Sequence, residues 1–298
     1  MNLTAVILTK NESIHLERCL ASIQGIANKI VIVDCFSTDN TLDIARSFDA
    51  IILQRLWTNH ADQFNWALGQ LGEDTEWVLR IDADEYVTSD LTKEIKSRLP
   101  CLGLDIKGIF LRRRMAFLRK LIHHGGIFPV KILRLFRYGY GKCENRLMDE
   151  HIEVAGLTTS FSAELIDDNL NSLTWWTEKH NRYSSLEAVE LLNLEYKFSK
   201  VNSIAKIENG SQTTVKRWLK ENIYAKLPFG IRAFVYFFYR YFIRLGFLDG
   251  WEGTAFHFLQ GFWYRYLVDV KILEVKRYME IHEVDVKAAI QAVLGLEV

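Results

Sequence analysis

The chain has 298 residues, 49% of them hydrophobic and 25% charged, a composition that excludes a disordered segment and leaves room for one large α/β domain with an appendage. Thirty-seven Lys and Arg balance 37 Asp and Glu, so no global field draws the chain to nucleic acid and electrostatic recognition has to be local.

In chain order, Leu3 to Leu8 predicts a buried strand, and Ser13 to Ile23, with Ile14, Cys19, Leu20 and Ile23 set among charges, a surface helix. Lys29 to Asp34 predicts a second strand, Thr41 to Ser47 a helix, Ala50 to Leu53 a third strand, Asp62 to Leu71 a helix and Trp77 to Ile81 a fourth strand. A helix from about Ser89 to Leu99 is ended by Pro100. Short apolar runs alternating with helices give an α/β fold, a mostly parallel sheet with flanking helices, whose strand ends open on one crevice. Thr9, Asn11, Glu12, Asp34, Asp39, Asp82 and Asp84 all follow strand ends, so residues dispersed in sequence can converge there.

Within that crevice the acidic run Asp82-Ala83-Asp84-Glu85 follows the apolar strand directly. Two carboxylates one residue apart at a turn suit a hard divalent cation that also touches a diphosphate, and they equally suit a solvated turn. Ser37, Thr38 and Asp39 before Thr41 are candidates for helix capping as well as for a pocket.

Taken with Thr9-Lys10-Asn11-Glu12 after the first strand and Asp34-Cys35-Phe36-Ser37-Thr38-Asp39-Asn40-Thr41 after the second, this pattern resembles glycosyltransferase family 2, of GT-A fold. The resemblance covers residues 3 to 100 closely and 105 to 185 more loosely. It implies an inverting, metal-dependent transferase of the hexosyltransferase kind, with a nucleotide-sugar donor, a UDP-sugar favoured, and Mg²⁺ or Mn²⁺ as cofactor. By the resemblance Thr9, Asn11, Glu12 and Asp34 line the base and ribose pocket. Gln63 and Asn65 stand on a Gln-x-Asn-x-Ala-Leu helix beside the nucleotide, Asp82 faces ribose and metal, and Asp84 is the principal metal ligand. Cys35 departs from the second Asp of many members, which leaves the choice of base open.

Inverting transfer needs a carboxylate to deprotonate the acceptor hydroxyl. In Met148-Asp149-Glu150-His151-Ile152-Glu153-Val154-Ala155-Gly156, the resemblance makes Glu150 the base candidate and Asp149 the second, with a surface loop as the alternative. Asp167 stands where related enzymes often carry a metal-side His, and is a candidate third ligand or a residue of a solvated turn. Residues 105 to 146 hold eleven Lys or Arg against Asp105 and Glu144, a local basic surface. Within it Arg134, in a Pro-x-x-x-Leu-Arg-Leu-Phe segment, is the candidate acceptor-binding residue. The domain division expected is 1–168 as the GT-A domain, with 1–100 the nucleotide-sugar half and 101–168 the acceptor half, and 169–298 as a C-terminal aromatic-rich helical region.

Between Phe229 and Leu248 the charges are Arg232, Arg240 and Arg244, which on a helix fall within about 120° of one another. That predicts a helix lying in a membrane interface with its arginines toward head groups; packing on protein, including a homo-oligomer contact, is the alternative. The longest run without Asp, Glu, Lys or Arg is the twelve residues Gly253 to Tyr264, short of the roughly 20 a spanning helix needs. The start reads as a strand rather than a secretory leader. Four dispersed cysteines without a CxxC pair argue against zinc or a disulfide framework and for a reducing cytoplasm. The expected setting is therefore peripheral, on the inner face of the cell membrane, and the resemblance implies a lipid-linked or lipopolysaccharide-type acceptor in bacterial surface-glycan synthesis. Two other readings are open: a non-catalytic membrane-associated scaffold of the same fold, which unchanged glycan assembly on Asp84→Ala would favour, and a sugar nucleotidyltransferase, which would need a Gly-rich first loop that Thr9 to His15 lacks. A dinucleotide oxidoreductase is disfavoured because no G-x-G-x-x-G follows the first strand.

Overall fold

A computed structural model describes residues 2–144, 151–198 and 229–298. They form two compact units: residues 1–123 with 127–171, and residues 124–126 with 172–298.

The first unit is built on strands β1 (Leu3–Thr9), β2 (Lys29–Asp34), β3 (Ile51–Gln54), β4 (Trp77–Arg80), β5 (Glu85–Val87), β6 (Ile106–Phe117), β7 (Lys120–Leu121), β8 (Val130–Arg137) and β11 (Leu157–Asp168), with β9 (Gly141–Cys143) and β10 (Ile152–Val154) forming a separate antiparallel pair. The main sheet runs β3-β2-β1-β4-β8-β6-β11-β5, with β7 beside β6. Its first four strands are parallel; β8 enters antiparallel between β4 and β6, and β11 lies parallel to β6 and antiparallel to β5. This α/β architecture, with an N-terminal Rossmann-like half, is the GT-A arrangement.

Alternation along the buried strands explains the two-sided core. Ala5 and Ile7 of β1 and Ile30 and Ile32 of β2 face α1 (Ser13–Ile23) and α4 (Ser89–Arg98), packing on Leu16, Leu20, Leu91 and Ile95. Val6, Val31 and Val33 face the other way onto Ala61, Phe64 and Ala67 of α3 (His60–Leu68). Helix α2 (Thr41–Ser47) follows β2 over the residues expected of it. Helix α3 starts two residues before the expected Asp62 because the Asn59 side chain accepts the Asp62 N–H at 2.8 Å, a side-chain cap that outranks the apolar periodicity in fixing the first turn.

The second unit contains α5 (Leu173–Tyr196), α6 (Ile231–Phe238), α7 (Gly250–Phe256), α8 (Tyr264–His282) and α9 (Val286–Leu294). Its core joins Ala188, Val189 and Leu192 of α5 to Val268, Ile272 and Val275 of α8 and to Ala289 and Ile290 of α9. Wide π-type turns at Tyr239–Ile243 and His257–Trp263 flank α7. No helix among the described residues is long and apolar enough to cross a membrane.

The expected orientation of α6 is reversed. Arg232 is buried and paired with buried Asp269, and Arg240 is buried against His257 Nδ1 at 3.0 Å and Gln260. The outward side carries Phe234, Val235, Phe238, Tyr239, Phe242 and Ile243. Two acceptors inside the unit, Asp269 and the His257 ring, decide which side turns inward, because a buried guanidinium has to be paired.

Burial also holds two imidazoles of this unit far below their ordinary range: His257, with Arg240 adding to the effect, and His180 are both pushed down to about 4. Their folded values lie below the unfolded 6.5, so between those limits the unfolded chain binds more protons and stability falls as pH falls. We expect these two groups to contribute stability that is fully present above about pH 6.5 and lost toward pH 4, up to about 3 kcal/mol from fully buried His257. Thermal melts of wild type and His257→Gln across that range would show it as a difference that shrinks as pH falls, and a difference independent of pH would refute it.

Candidate active site

The site is assembled by strand order. Parallel β3, β2, β1 and β4 all end on one edge, and the β5–β11 pairing sets Glu85 opposite Asp167. That register brings the acidic turn after β4 to the exit of β11, more than eighty residues away. The junction is stitched by the backbone: Asp168 N–H donates to the Asp84 carbonyl at 3.0 Å. Arg18 of α1 donates to that carbonyl at 3.2 Å, to the Asp168 carboxylate at 2.5 Å and to the Asp168 carbonyl.

Inside the turn the carboxylates have distinct environments. Asp82 sits over two buried guanidiniums: Arg134 Nη2 reaches its Oδ2 at 2.5 Å, and Arg80 Nε lies 3.9 Å from Oδ1. Burial works against the Asp82 anion, but Arg134 and Arg80 outweigh it and hold the carboxyl below the usual range. Buried Glu85 also takes a bond from Arg134, at 2.6 Å, yet burial and the Asp82 charge prevail and its carboxyl is raised. The Asp84 carboxylate receives Asn169 Nδ2 at 3.0 Å. Asp167 is pushed up to about 7, by burial first and by the Asp84 charge next, with Arg113 opposing from 3.7 Å. Three guanidiniums (Arg80, Arg113, Arg134) thus meet Asp82, Glu85 and Asp167, while Asp84 takes its bond from the neutral Asn169 amide.

Arg134 was expected to face an acceptor; the fold buries it beneath the acidic turn, since β8 pairs with β4 and delivers its side chain under Asp82 and Glu85. Part of the wider basic stretch is neutralised in the same way. Arg112 and Arg114 meet Glu164, and Arg113 meets Glu85 and Asp167.

On the β1–β2 side, Asp34 is completely buried and each oxygen accepts twice. Thr9 Oγ1 and Ser37 Oγ bind Oδ1 at 3.0 and 2.5 Å; Ser37 N–H and Gln54 Nε2 bind Oδ2 at 2.8 and 3.3 Å. Asn11 has a left-handed backbone, φ 56°, and its side-chain carbonyl accepts Thr38 N–H at 2.8 Å. Glu12 Oε2 is 2.6 Å from His15 Nδ1, while His15 Nε2 accepts Leu170 N–H at 2.9 Å. Asp39 serves two helix starts, accepting from Thr41 and from Ser13 N–H; burial opposes its charge, but these bonds hold the carboxyl at about 2.

Helix α3 contributes differently from expectation. Asn65 spends its amide on the backbone of Cys143, donating to the carbonyl and accepting the N–H, both at 2.8 Å. Buried Gln63 donates to the Arg55 carbonyl at 3.3 Å. Both side chains brace loops around the crevice. Glu150 and Asp149 lie outside the described residues; the flanking residues Glu144 and His151 are joined by a 2.9 Å backbone bond, with Cys143 paired to Ile152. Sequence reasoning missed Arg80, Arg113, Asn169 and His15: Arg113 and Asn169 meet the site through long-range pairing, whereas Arg80 meets Asp82 and His15 meets Glu12 locally; all four were visible as polar residues in or beside apolar runs.

The glycosyl transferase family 2 domain model matches residues 4–99, the segment that ends the four parallel strands on the acidic turn. With this match and the relatives that share it, the chain is a glycosyltransferase. A Rickettsia bellii protein described as an uncharacterized glycosyltransferase is 27% identical over 84% of this chain and 79% of its own length. The lipopolysaccharide core biosynthesis glycosyltransferase LpsC of Rhizobium meliloti is 28% identical over 62% of this chain and 70% of its own. Among solved structures, glucosyl-3-phosphoglycerate synthase of Mycobacterium tuberculosis, in complex with Mn²⁺ and UDP, matches at TM-score 0.32 and 16% identity over 39% of this chain. Mannosyl-3-phosphoglycerate synthase of Rubrobacter xylanophilus matches at 0.33 and 20%, also over 39%. The chain spans less than half of either structure's length, 44% and 41%.

Proposed function

We propose that this glycosyltransferase is an inverting, cation-dependent enzyme that takes a sugar from a nucleotide-sugar donor, a UDP-sugar favoured, and places it on a lipid-linked or lipopolysaccharide-type acceptor. The observation that carries the reading is the pair Asp84 and Asp167, near enough for the Asp84 charge to help raise Asp167 against Arg113 at 3.7 Å, beside a guanidinium-clamped Asp82. No group of three or more His, Cys, Asp or Glu among the described residues is arranged to hold a metal by itself. A partial set of hard oxygen donors suits Mg²⁺ or Mn²⁺, which keep waters and substrate phosphates in their shell. Asp84 and Asp167 would hold the ion, and when bound it would supply charge stabilisation for the departing diphosphate.

The remaining roles follow from position. Arg134 fixes Asp82 so that its outer edge is presented to the ribose, replacing the acceptor role expected for it. Thr9, Asn11, Glu12 and Asp34 shape the β1–β2 wall, while Gln63 holds the loop after β3 at Arg55 and Asn65 holds β9 at Cys143. Glu150, with Asp149 second, is proposed as general base on the sequence resemblance alone. Similarity to LpsC favours the lipopolysaccharide-type acceptor.

For location, a lipid surface is favoured by α6 and the residues after it, where Phe242, Ile243, Phe247, Leu248 and Trp251 are exposed while Arg232, Arg240, Asp249 and Asp269 are buried. Flotation with anionic vesicles should carry the protein, and Phe238→Ser with Trp251→Ser should leave it at the bottom of the gradient. Wild type that stays unbound, or that sediments as a dimer through these residues, would refute the lipid reading in favour of a soluble protein or an oligomer.

The donor reading is tested by calorimetry with UDP-, GDP- and dTDP-sugars, with and without Mn²⁺ or Mg²⁺. Cation-dependent binding of one donor is expected. Cation-independent binding would remove the metal from the scheme, and no binding at all would favour a non-catalytic scaffold.

A further inference from the structure

Phe36 leaves the end of β2 with φ 52° and its side chain 46% exposed. A left-handed backbone is unfavourable for a bulky residue and persists only where its surroundings over-determine it. Here they do. Lys10 Nζ donates to the carbonyls of Cys35 and Phe36 at 2.6 and 2.7 Å, Asn11 N–H donates to Ser37 Oγ at 2.8 Å, and Ser37 is tied to Asp34. The fold spends strain and a lysine to present an apolar ring to solvent.

Asp34 beside it has no acceptor capacity left, because a carboxylate offers about four lone-pair sites and Thr9, Ser37 and Gln54 fill them. What this strand end offers a ligand is a flat π-face. In the order β3-β2-β1-β4, the exit of β2 is separated by one strand from the exit of β4 and its carboxylates, roughly 10 Å at ordinary strand spacing. A ribose spans such a gap between a base and a diphosphate.

We propose that Phe36 is the platform on which the donor's nucleobase stacks; this rests on the nucleotide-sugar reading above. Stacking is tolerant of base identity, so Phe36 supplies affinity for the nucleoside part and leaves the choice of base to other contacts.

The test uses Phe36→Gly, since glycine adopts positive φ without strain and the variant should fold at least as well as wild type. Calorimetry would compare UDP, GDP and inorganic pyrophosphate, each with Mn²⁺, on wild type, Phe36→Gly and Phe36→Trp. The glycine variant is expected to bind the wild type's preferred nucleoside diphosphate about 10- to 100-fold more weakly, with unchanged pyrophosphate affinity and an equal or higher melting temperature; Phe36→Trp should retain wild-type affinity. Undiminished nucleotide binding by Phe36→Gly overturns the proposal while leaving the donor site intact. A parallel loss of pyrophosphate also overturns it, since the change would then lie in the loop as a whole. Wild type that binds neither nucleotide removes the donor reading and this proposal with it.

Discussion

Asp84→Asn should abolish sugar transfer, by three or more orders of magnitude, without lowering the melting temperature. Asparagine keeps the size of the side chain and an oxygen that can accept from Asn169. It removes a charge that adds to burial in pushing Asp167 up to about 7, so a repulsive contact is relieved and the fold is expected to hold or gain. Activity moves the other way, because a divalent cation holding a diphosphate depends on anionic oxygen, and its assistance amounts to several kcal/mol of barrier. At about 1.4 kcal/mol per tenfold, four kcal/mol is roughly a thousandfold. Donor-consumption kinetics and thermal melts on the same preparation check both halves. Transfer within tenfold of wild type would exclude a cation held at Asp84.

Arg134→Met is expected to be the most destabilising single change in the first unit. The guanidinium is buried and shared between Asp82 and Glu85, and the anions beside it keep it firmly protonated in spite of burial. Removing one partner of a buried ionic cluster leaves uncompensated charge and costs about 3–5 kcal/mol. Arg134→Lys should recover only part of this, since an ammonium lacks the planar fork that reaches both carboxylates. Adding Glu85→Gln to Arg134→Met should return a measurable share of the loss, because one of the two stranded anions is then neutral. Urea denaturation of the four proteins tests the series. A loss below about 1 kcal/mol for Arg134→Met would mean that Arg80 and Arg113 together compensate the site.

The N-terminal half was legible because its information is local. Apolar runs such as KIVIVD mark strands, Pro100 marks an end, and expected and observed bounds for α1, β2 and α2 coincide. The strand-end residues could be singled out for the same reason. What could not be read is pairing between distant segments: that β5 exists and lies against β11, that β8 enters beside β4, and therefore that Arg134 meets Asp82 and Asp84 meets Asn169. The error at α6 has another cause. A helical wheel divides a helix into two faces, but which face is inward depends on partners elsewhere in the chain, here Asp269 and His257. Glu150 and Asp149 rest on sequence alone.

His15 carries a consequence of its own. Its Nε2 accepts a backbone N–H from Leu170, so Nδ1 has to bear the ring proton and give it to Glu12, which fixes one tautomer of the neutral imidazole. The ring is 1% exposed, so that proton is shielded from exchange with water. It should give a slowly exchanging imidazole resonance in NMR, a built-in reporter of whether the turn after β1 and the exit of β11 remain joined as ligands come and go.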